Sequence, residues 1–428
     1  MSPAFAAAFS SLKVRDYRIL WWGGLFSFMS VQMQFLLRGL LAWDLTEREG
    51  ALGLVYLSFG LSMLVATPLG GVASDRFSRR AILVASQGAI MVAAVGMGAV
   101  VLLDLAQFWM LLVAAVVQGG AFGFFGPARV ALAAEYVGRD QLGNAIALSL
   151  LSMNGTRIFA PSLAGILAGV AFFGIGGAYL MAAAFSFAGF VCLLRLPAST
   201  RVIEPSGRNP LADIAEGVRY VAGRPPLRRL VVASFFVIMF GFNYVAFYPA
   251  MIEGVFGLDE TWVGYISSAS ALGAVAVAVP LAGKADSPWA KTAMTIGGLV
   301  FGAGVVLFGL APSFWMAFVV IMVVGAATTV FQSLSNTLAL GLSDEGHQGR
   351  VQSLMQLSFA GFGMAAAPLG FLAEVIGLRQ VITIMGGVAI ASVLLYVLFE
   401  GGFRMIRPMV GGATVVDSGI ARTPAASA

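Results

Sequence analysis

Four stretches of this chain, 59–73, 81–103, 108–128 and 231–251, contain no Asp, Glu, Lys or Arg. About 20 apolar residues, at 1.5 Å rise per residue, cross a hydrocarbon layer roughly 30 Å thick. Lipid offers the backbone no hydrogen-bond partner, so such runs must satisfy themselves as helices. A single large soluble core is excluded by their length and by composition. Of 428 residues 59% are hydrophobic and 11% charged, with mean hydropathy +0.92, whereas water-soluble domains carry about 25% charged residues.

Reading on along the chain predicts an all-α membrane protein with twelve transmembrane helices, near 18–43, 51–73, 81–103, 108–130, 142–169, 174–195, 230–252, 261–283, 291–311, 313–338, 350–375 and 379–400. Lys13, Arg15 and Arg18 precede an apolar run too long for a signal core, so that run reads as a retained span. Placing the N-terminus in the cytoplasm puts twenty of the 25 Lys and Arg in inner segments and two, Arg48 and Arg379, in outer ones. Arg38, Arg129 and Arg157 fall within or at the ends of spans. This asymmetry predicts both termini inside a plasma-membrane-type bilayer. It also explains the formal charge of +5 without nucleic acid.

One Cys and one His exclude an intrachain disulfide and a His-based metal cluster. No nucleotide-binding glycine pattern stands in a strand–helix context. Neither an enzyme nor an ATP-driven pump is expected, and no cofactor or metal.

The spans divide into two pseudo-symmetric six-helix halves, 18–195 and 230–400, after an N-terminal segment, 1–17. Between them, 196–229 is a polar linker, and 401–428 is a tail expected to be disordered at its end. Within the linker, Asn209 and Pro210 make a helix start and apolar residues then recur every three or four positions, which predicts an amphipathic cytoplasmic helix ending at Arg224. "PLGGVASDRFSRRAI" at 68–82 is echoed by "PLAGKADSPWAKTAM" at 280–294, and "APSLAG" at 160–165 by "AAPLGF" at 366–371. Similar offsets at two places point to duplication of a six-span unit.

The loop Gly71, Asp75, Arg76, Ser78, Arg79, Arg80 resembles the signature between spans two and three of the major facilitator superfamily, with Ser78 where that pattern has glycine. "MQFLLRGLLAWDLT", "GPARVALAAEYVGRDQLGNAIAL", "NGTRIFAPSLAGILAG" and "DIAEGVRYVAGRPPLR" are similar to the branch of enterobactin and macrolide exporters. The resemblance spans 13–400. It implies alternating access and a gating role for Asp75, facing the start of span eleven near 349–352 when the inner side closes. Arg76, Arg79 and Arg80 serve gating, orientation or both. Two departures stand out: Ala115 lies where proton-coupled drug antiporters often carry an arginine, and Val31 where this branch often has an acid.

A substrate path is expected along Arg38, Gln32, Gln34, Gln118, Asn154, Arg157, Asn243, Tyr244, Gln332, Asn336 and Gln356. Each amide serves equally as a helix–helix hydrogen-bond partner, and Arg38, in the outer half, has the alternative of snorkelling. Pro161, Gly165, Gly169 and Pro368 are expected to bend helices or let them approach closely. A fixed charge in hydrocarbon needs water or a partner, and no Asp or Glu lies clearly in mid-span, so the expected cargo is a neutral or anionic amphiphile, drug-like or siderophore-like. Proton coupling, if the chain uses it, needs an acid near a span end, with Asp44 the first candidate. The leading reading is a monomeric secondary exporter. An importer on the same fold and a non-transporting receptor or scaffold stay open.

Overall fold

The structure, a computed structural model, describes residues 10–170, 172–197, 210–282, 289–344 and 347–400. A 3-10 turn, Ser10–Lys13, leads into α1 (Arg15–Thr46), α2 (Glu49–Arg76) and α3 (Arg79–Leu102). Then come α4 (Phe108–Gly169), α5 (Gly174–Leu194), the linker helix α6 (Pro210–Ala222) and α7 (Pro225–Phe236). The chain closes with α8 (Glu260–Ala282), α9 (Ala290–Leu310), α10 (Phe314–Gly341), α11 (Gln348–Ile376) and α12 (Leu378–Phe399). Ten helices are long and apolar enough to cross a membrane. The other two expected spans are helical throughout, as the second arm of α4 and as α11. The helices are thus consistent with twelve passes, numbered here in chain order, and every element among the described residues is helical.

The expected break between spans four and five is a single residue. Inside the 62 residues of α4 only Gly138, at φ 72° and ψ 177°, leaves helical geometry. That region is nearly closed to residues with a Cβ. Helical backbone runs on through Pro161 in α4 and Pro368 in α11. Pro68 and Pro280 lie inside α2 and α8. The echoed motifs thus fall on passes two and eight, and on five and eleven.

Pass seven departs from the uninterrupted helix expected over 230–252. After α7 the backbone widens into π turns at Val237–Gly241, tightens into a 3-10 turn at Phe242–Val245, and widens again at Ala250–Val255. Pro249 has no N–H to give the preceding turn. Earlier in the pass, Asn243 Nδ2 donates to Met239 O one turn back and to Phe362 O of α11, tying the irregular stretch to its neighbour. Packed rings hold the irregular backbone: Tyr244 lies 5.6 Å from Tyr248, 6.1 Å from Phe301 and 6.2 Å from Phe308.

Ser78 shows why the signature turn works without its glycine. Its backbone sits at φ −57°, where no glycine is needed, and its side chain accepts from Ala81 N to cap α3. Arg79 Nη1 donates to Glu135 Oε2 (3.2 Å) and Arg80 Nη2 to Leu194 O (2.6 Å), both within the first six passes. Arg76 is exposed. The Asp75 side chain lies outside the described residues, as do Asn209 and the rest of 198–209. The start of α11 carries the linker helix: Arg350 pairs with Glu216 at 3.0 Å, Arg224 pairs with Asp344, and Tyr220 stacks on His347 at 3.9 Å between ring centres.

Candidate transport pathway

The first and last six passes meet along two helix pairs, α2 with α11 and α4 with α8. Their closest contacts gather at one end, called outer here because it carries Arg48 and Arg379. A Cβ on Gly53 would lie 2.6 Å from Ala367 Cα, and one on Gly363 2.6 Å from Tyr56 O. On the second pair, Gly165 faces Gly264 backbone against backbone, and Gly169 faces Thr261, whose Oγ1 donates to Gly169 O at 3.1 Å. Arg48 adds a two-pronged ion pair to Glu374, Nε to Oε1 at 3.2 Å and Nη2 to Oε2 at 3.0 Å. Gly50 N donates to the same carboxylate at 3.1 Å. Trp43 of α1 packs on Gly254 beside this seam. The outer side is therefore closed.

Below the seam, aromatic rings from both sets meet. Phe35 lies 5.6 Å and Tyr56 5.8 Å from Phe362, and Phe35 lies 4.6 Å from Tyr56. Deeper still, Arg157 Nη1 donates to Gln332 Oε1 at 3.4 Å, joining pass five to pass ten. These two members of the expected path are brought together across the molecule.

Other members are placed apart. Arg38 does not snorkel: it is 1% exposed, turned into the first six passes, with its guanidinium 4.9 Å from the Phe59 ring. Arg129 likewise turns inward, 4.8 Å from the Phe28 ring, rather than joining the inner charges. Gln34 Nε2 donates to Ser30 Oγ at 3.0 Å. Gln118 is buried with neither amide atom bonded. Asn243 and Tyr244 are buried where they brace pass seven, and Gln32 and Asn336 are half-buried. The side chains of Asn154 and Gln356 lie outside the described residues.

Asp44 is exposed at the outer end of α1. Its neighbour Glu253, beyond the membrane segment Pro225–Val245, is the more unusual acid. Burial, then the carboxylates of Glu260, Asp44, Asp259 and Glu47, push its pKa up to about 7. Sequence alone missed this crowding, because the acids come from 44–47 and 253–260 and meet only in the fold. The Arg48–Glu374 pair was equally hidden, although Arg48 is one of only two outer cations.

Three comparisons bear on this geometry. The sequence profile of the Major Facilitator Superfamily matches residues 20–368 and 230–408. The enterobactin exporter EntS of Shigella flexneri is 27% identical over 375 residues, 86% of this chain and 85% of that protein. EntS of Escherichia coli O1:K1 / APEC is likewise 27% identical over the same length. Among solved structures, a bacterial homologue of the human lysosomal transporter Spinster, inward-facing and unoccupied, superposes with a TM-score of 0.70 at 16% identity, covering 93% of this chain and 98% of that one. The human organic anion transporter MFSD10 superposes with a TM-score of 0.63 at 16% identity, covering 90% and 99%. With its helical passes, its two-sided seam and a profile match along most of its length, the chain is a multi-pass membrane transport protein that belongs to the major facilitator superfamily.

Proposed function

We propose that this transporter exports a neutral or anionic amphiphile, siderophore-like or drug-like, by alternating access. One observation carries the reading. Arg157, a fixed cation in mid-membrane, reaches across to Gln332 of the opposite six passes. A charge at that depth costs about 2.5–3.5 kcal/mol or more on an isolated helix. It is tolerable where it faces a polar path, and an anionic cargo would use it. Arg38 and Arg129 place two further inward-turned cations within the first six passes. Among the described residues the one buried carboxylate is Glu400, already held by Arg229 and Lys291. A site for a lipophilic cation would want a free buried acid, and export is favoured by the two exporters at 27% identity. Protons are the proposed coupling ion, with the outer acids Glu253 and Asp44 as their first stop. Pro161, Gly165, Gly169 and Pro368 mark the helices that move.

The test is efflux from cells lacking their own exporters, loaded with an anionic dye such as carboxyfluorescein or with ethidium. The expected result is faster loss of the anionic dye, reduced at least tenfold in Arg157→Ala at equal protein level. Recovery of enterobactin secretion in an exporter-deficient strain would narrow the class further. Preference for ethidium, or uptake instead of loss, overturns the reading.

A further inference from the structure

Arg38 poses a problem that export does not answer. Its Nε donates to Gln34 O at 3.1 Å, one turn back. Nη1 and Nη2 are buried and bonded to nothing. The groups around the guanidinium are the Phe59 ring, 4.9 Å away, and two phenols, Tyr179 and Tyr56, with no carboxylate among them. Phenols are neutral at physiological pH. A buried, unpaired, permanently charged group is among the least favourable things a membrane protein can hold. Beside it, Tyr179 is fully buried and its hydroxyl is also unbonded. Tyr56 is spoken for, donating to Phe35 O at 3.1 Å. What is left over is mostly donors: the N–H groups of two forked nitrogens and one phenol O–H, against the weakly accepting phenol oxygen. Unspent donors around a fixed positive charge are what a dehydrated anion requires.

We infer that Arg38 Nη1 and Nη2, with the Tyr179 hydroxyl, form a buried receptor for a small anionic group, a halide-sized ion or a carboxylate. The receptor lies within the first six passes, among α1, α2 and α5, apart from the Arg157–Gln332 bridge. It is tied to the outer seam through Tyr56, whose ring lies 5.8 Å from Phe362 of the other set. When the seam opens, Tyr56 loses that neighbour and the receptor gains a route to the outer solution. The anionic group comes either from salt in the medium or from the acid of the transported molecule. Only the second source rests on the proposed export of anionic cargo.

Thermal unfolding of the purified full chain separates the sources. One arm compares chloride and bromide with gluconate at equal ionic strength. The other compares octanoate with octanol. Binding to the folded state alone raises Tm with ligand concentration. A saturable rise of about 2 °C is expected in at least one arm, absent in Arg38→Met, weaker in Tyr179→Phe and kept in Arg157→Ala. A response to halide identifies an inorganic ion, and a response to octanoate alone identifies the cargo's own acid. Should Arg38→Met fail to fold, bromide anomalous scattering from wild-type crystals gives the answer: a peak within hydrogen-bond range of both Nη atoms supports the site. No anion response in wild type, a response surviving Arg38→Met, or, where halide raises Tm, bromide located elsewhere overturns it. Loss of efflux with the anion response intact would refute the proposed function and leave this site standing; the converse would do the reverse.

Discussion

Gly165→Val should push the protein out of the outer-closed state. A Cβ at Gly165 would come within 2.8 Å of Gly264 N and 3.3 Å of Leu36 Cδ2, and one at Gly264 within 2.6 Å of Ile166 N. The first and last of these obstacles are backbone, which cannot swing aside as a flexible side-chain tip does. Ordinary Cβ contacts begin at 3.4 Å, so α4 and α8 must part by something on the order of 1 Å to admit the methyl groups. Overpacking of this kind costs about 1–3 kcal/mol. Gly165 meets Gly264 only while the outer side is shut, so the cost falls on that state alone. The closed-to-open ratio then drops by about 5- to 150-fold. Spin labels at Leu105 and Pro312, exposed in outer loops of the two six-pass sets, report the change as a distance distribution once the one native cysteine, Cys192, is replaced by serine. A longer outer distance should dominate in Gly165→Val. Gly96→Val is the control, since a Cβ there meets nothing within 4 Å. A wild-type distribution in Gly165→Val, with its Tm unchanged, would refute the claim that this crossing closes the outer side.

Other perturbations have equally definite outcomes. Glu253, held near pH 7, binds protons in the folded, outer-closed protein that it would shed at about pH 4.3 when solvated. Stability is therefore full below that lower value and falls as pH rises to about 7; Glu253→Gln should flatten the Tm–pH profile across that window and raise Tm at pH 8. Gly138→Ala forces a Cβ into the φ 72° conformation between the arms of α4 and should cost about 1–3 kcal/mol, read as a lower Tm without loss of helical circular dichroism. Glu374→Arg should lengthen the outer distance by placing like charges at the Arg48 contact, and the double reversal with Arg48→Glu should restore it.

The course of the helices is legible in the sequence because lipid enforces it: charge-free runs of the right length have one way to satisfy their backbone. Pass seven escapes that logic. Its composition is as apolar as its neighbours', yet its backbone departs from α geometry at Val237 and again near Pro249, and it is braced by Asn243 donating to Phe362 O of a helix over a hundred residues away. No local pattern announces such a brace. The arginines divide in the same way. Their depth can be counted from span ends, so Arg157 reads as a mid-membrane charge. Whether Arg38 turns to the headgroups or inward depends on which rings surround it, and those rings come from two helices far apart in the chain, Tyr56 and Phe59 from α2 and Tyr179 from α5.

The two kinds of packing in this fold suggest how the seam can open without the bundle coming apart. Within the last six passes large rings interlock, as Phe242, Tyr244, Tyr248, Phe301 and Phe308 do, and separating them would expose apolar surface at about 25 cal/mol per Å². The seam between the sets is built otherwise. Gly53, Gly165, Gly264 and Gly363 bring backbones together, a smaller group of rings, Phe35, Tyr56 and Phe362, meets across it, and its ion pair is held by an Arg48 whose side chain is 66% exposed. Exposed pairs of this kind contribute little. Less is interdigitated there than within the last six passes, so less must be unlocked, and the balance between closed and open can be reset by a ligand with modest preference for one state. The Arg157–Gln332 bridge is where such a preference would act: an anion accepting from Arg157 competes with a polar tie between the sets.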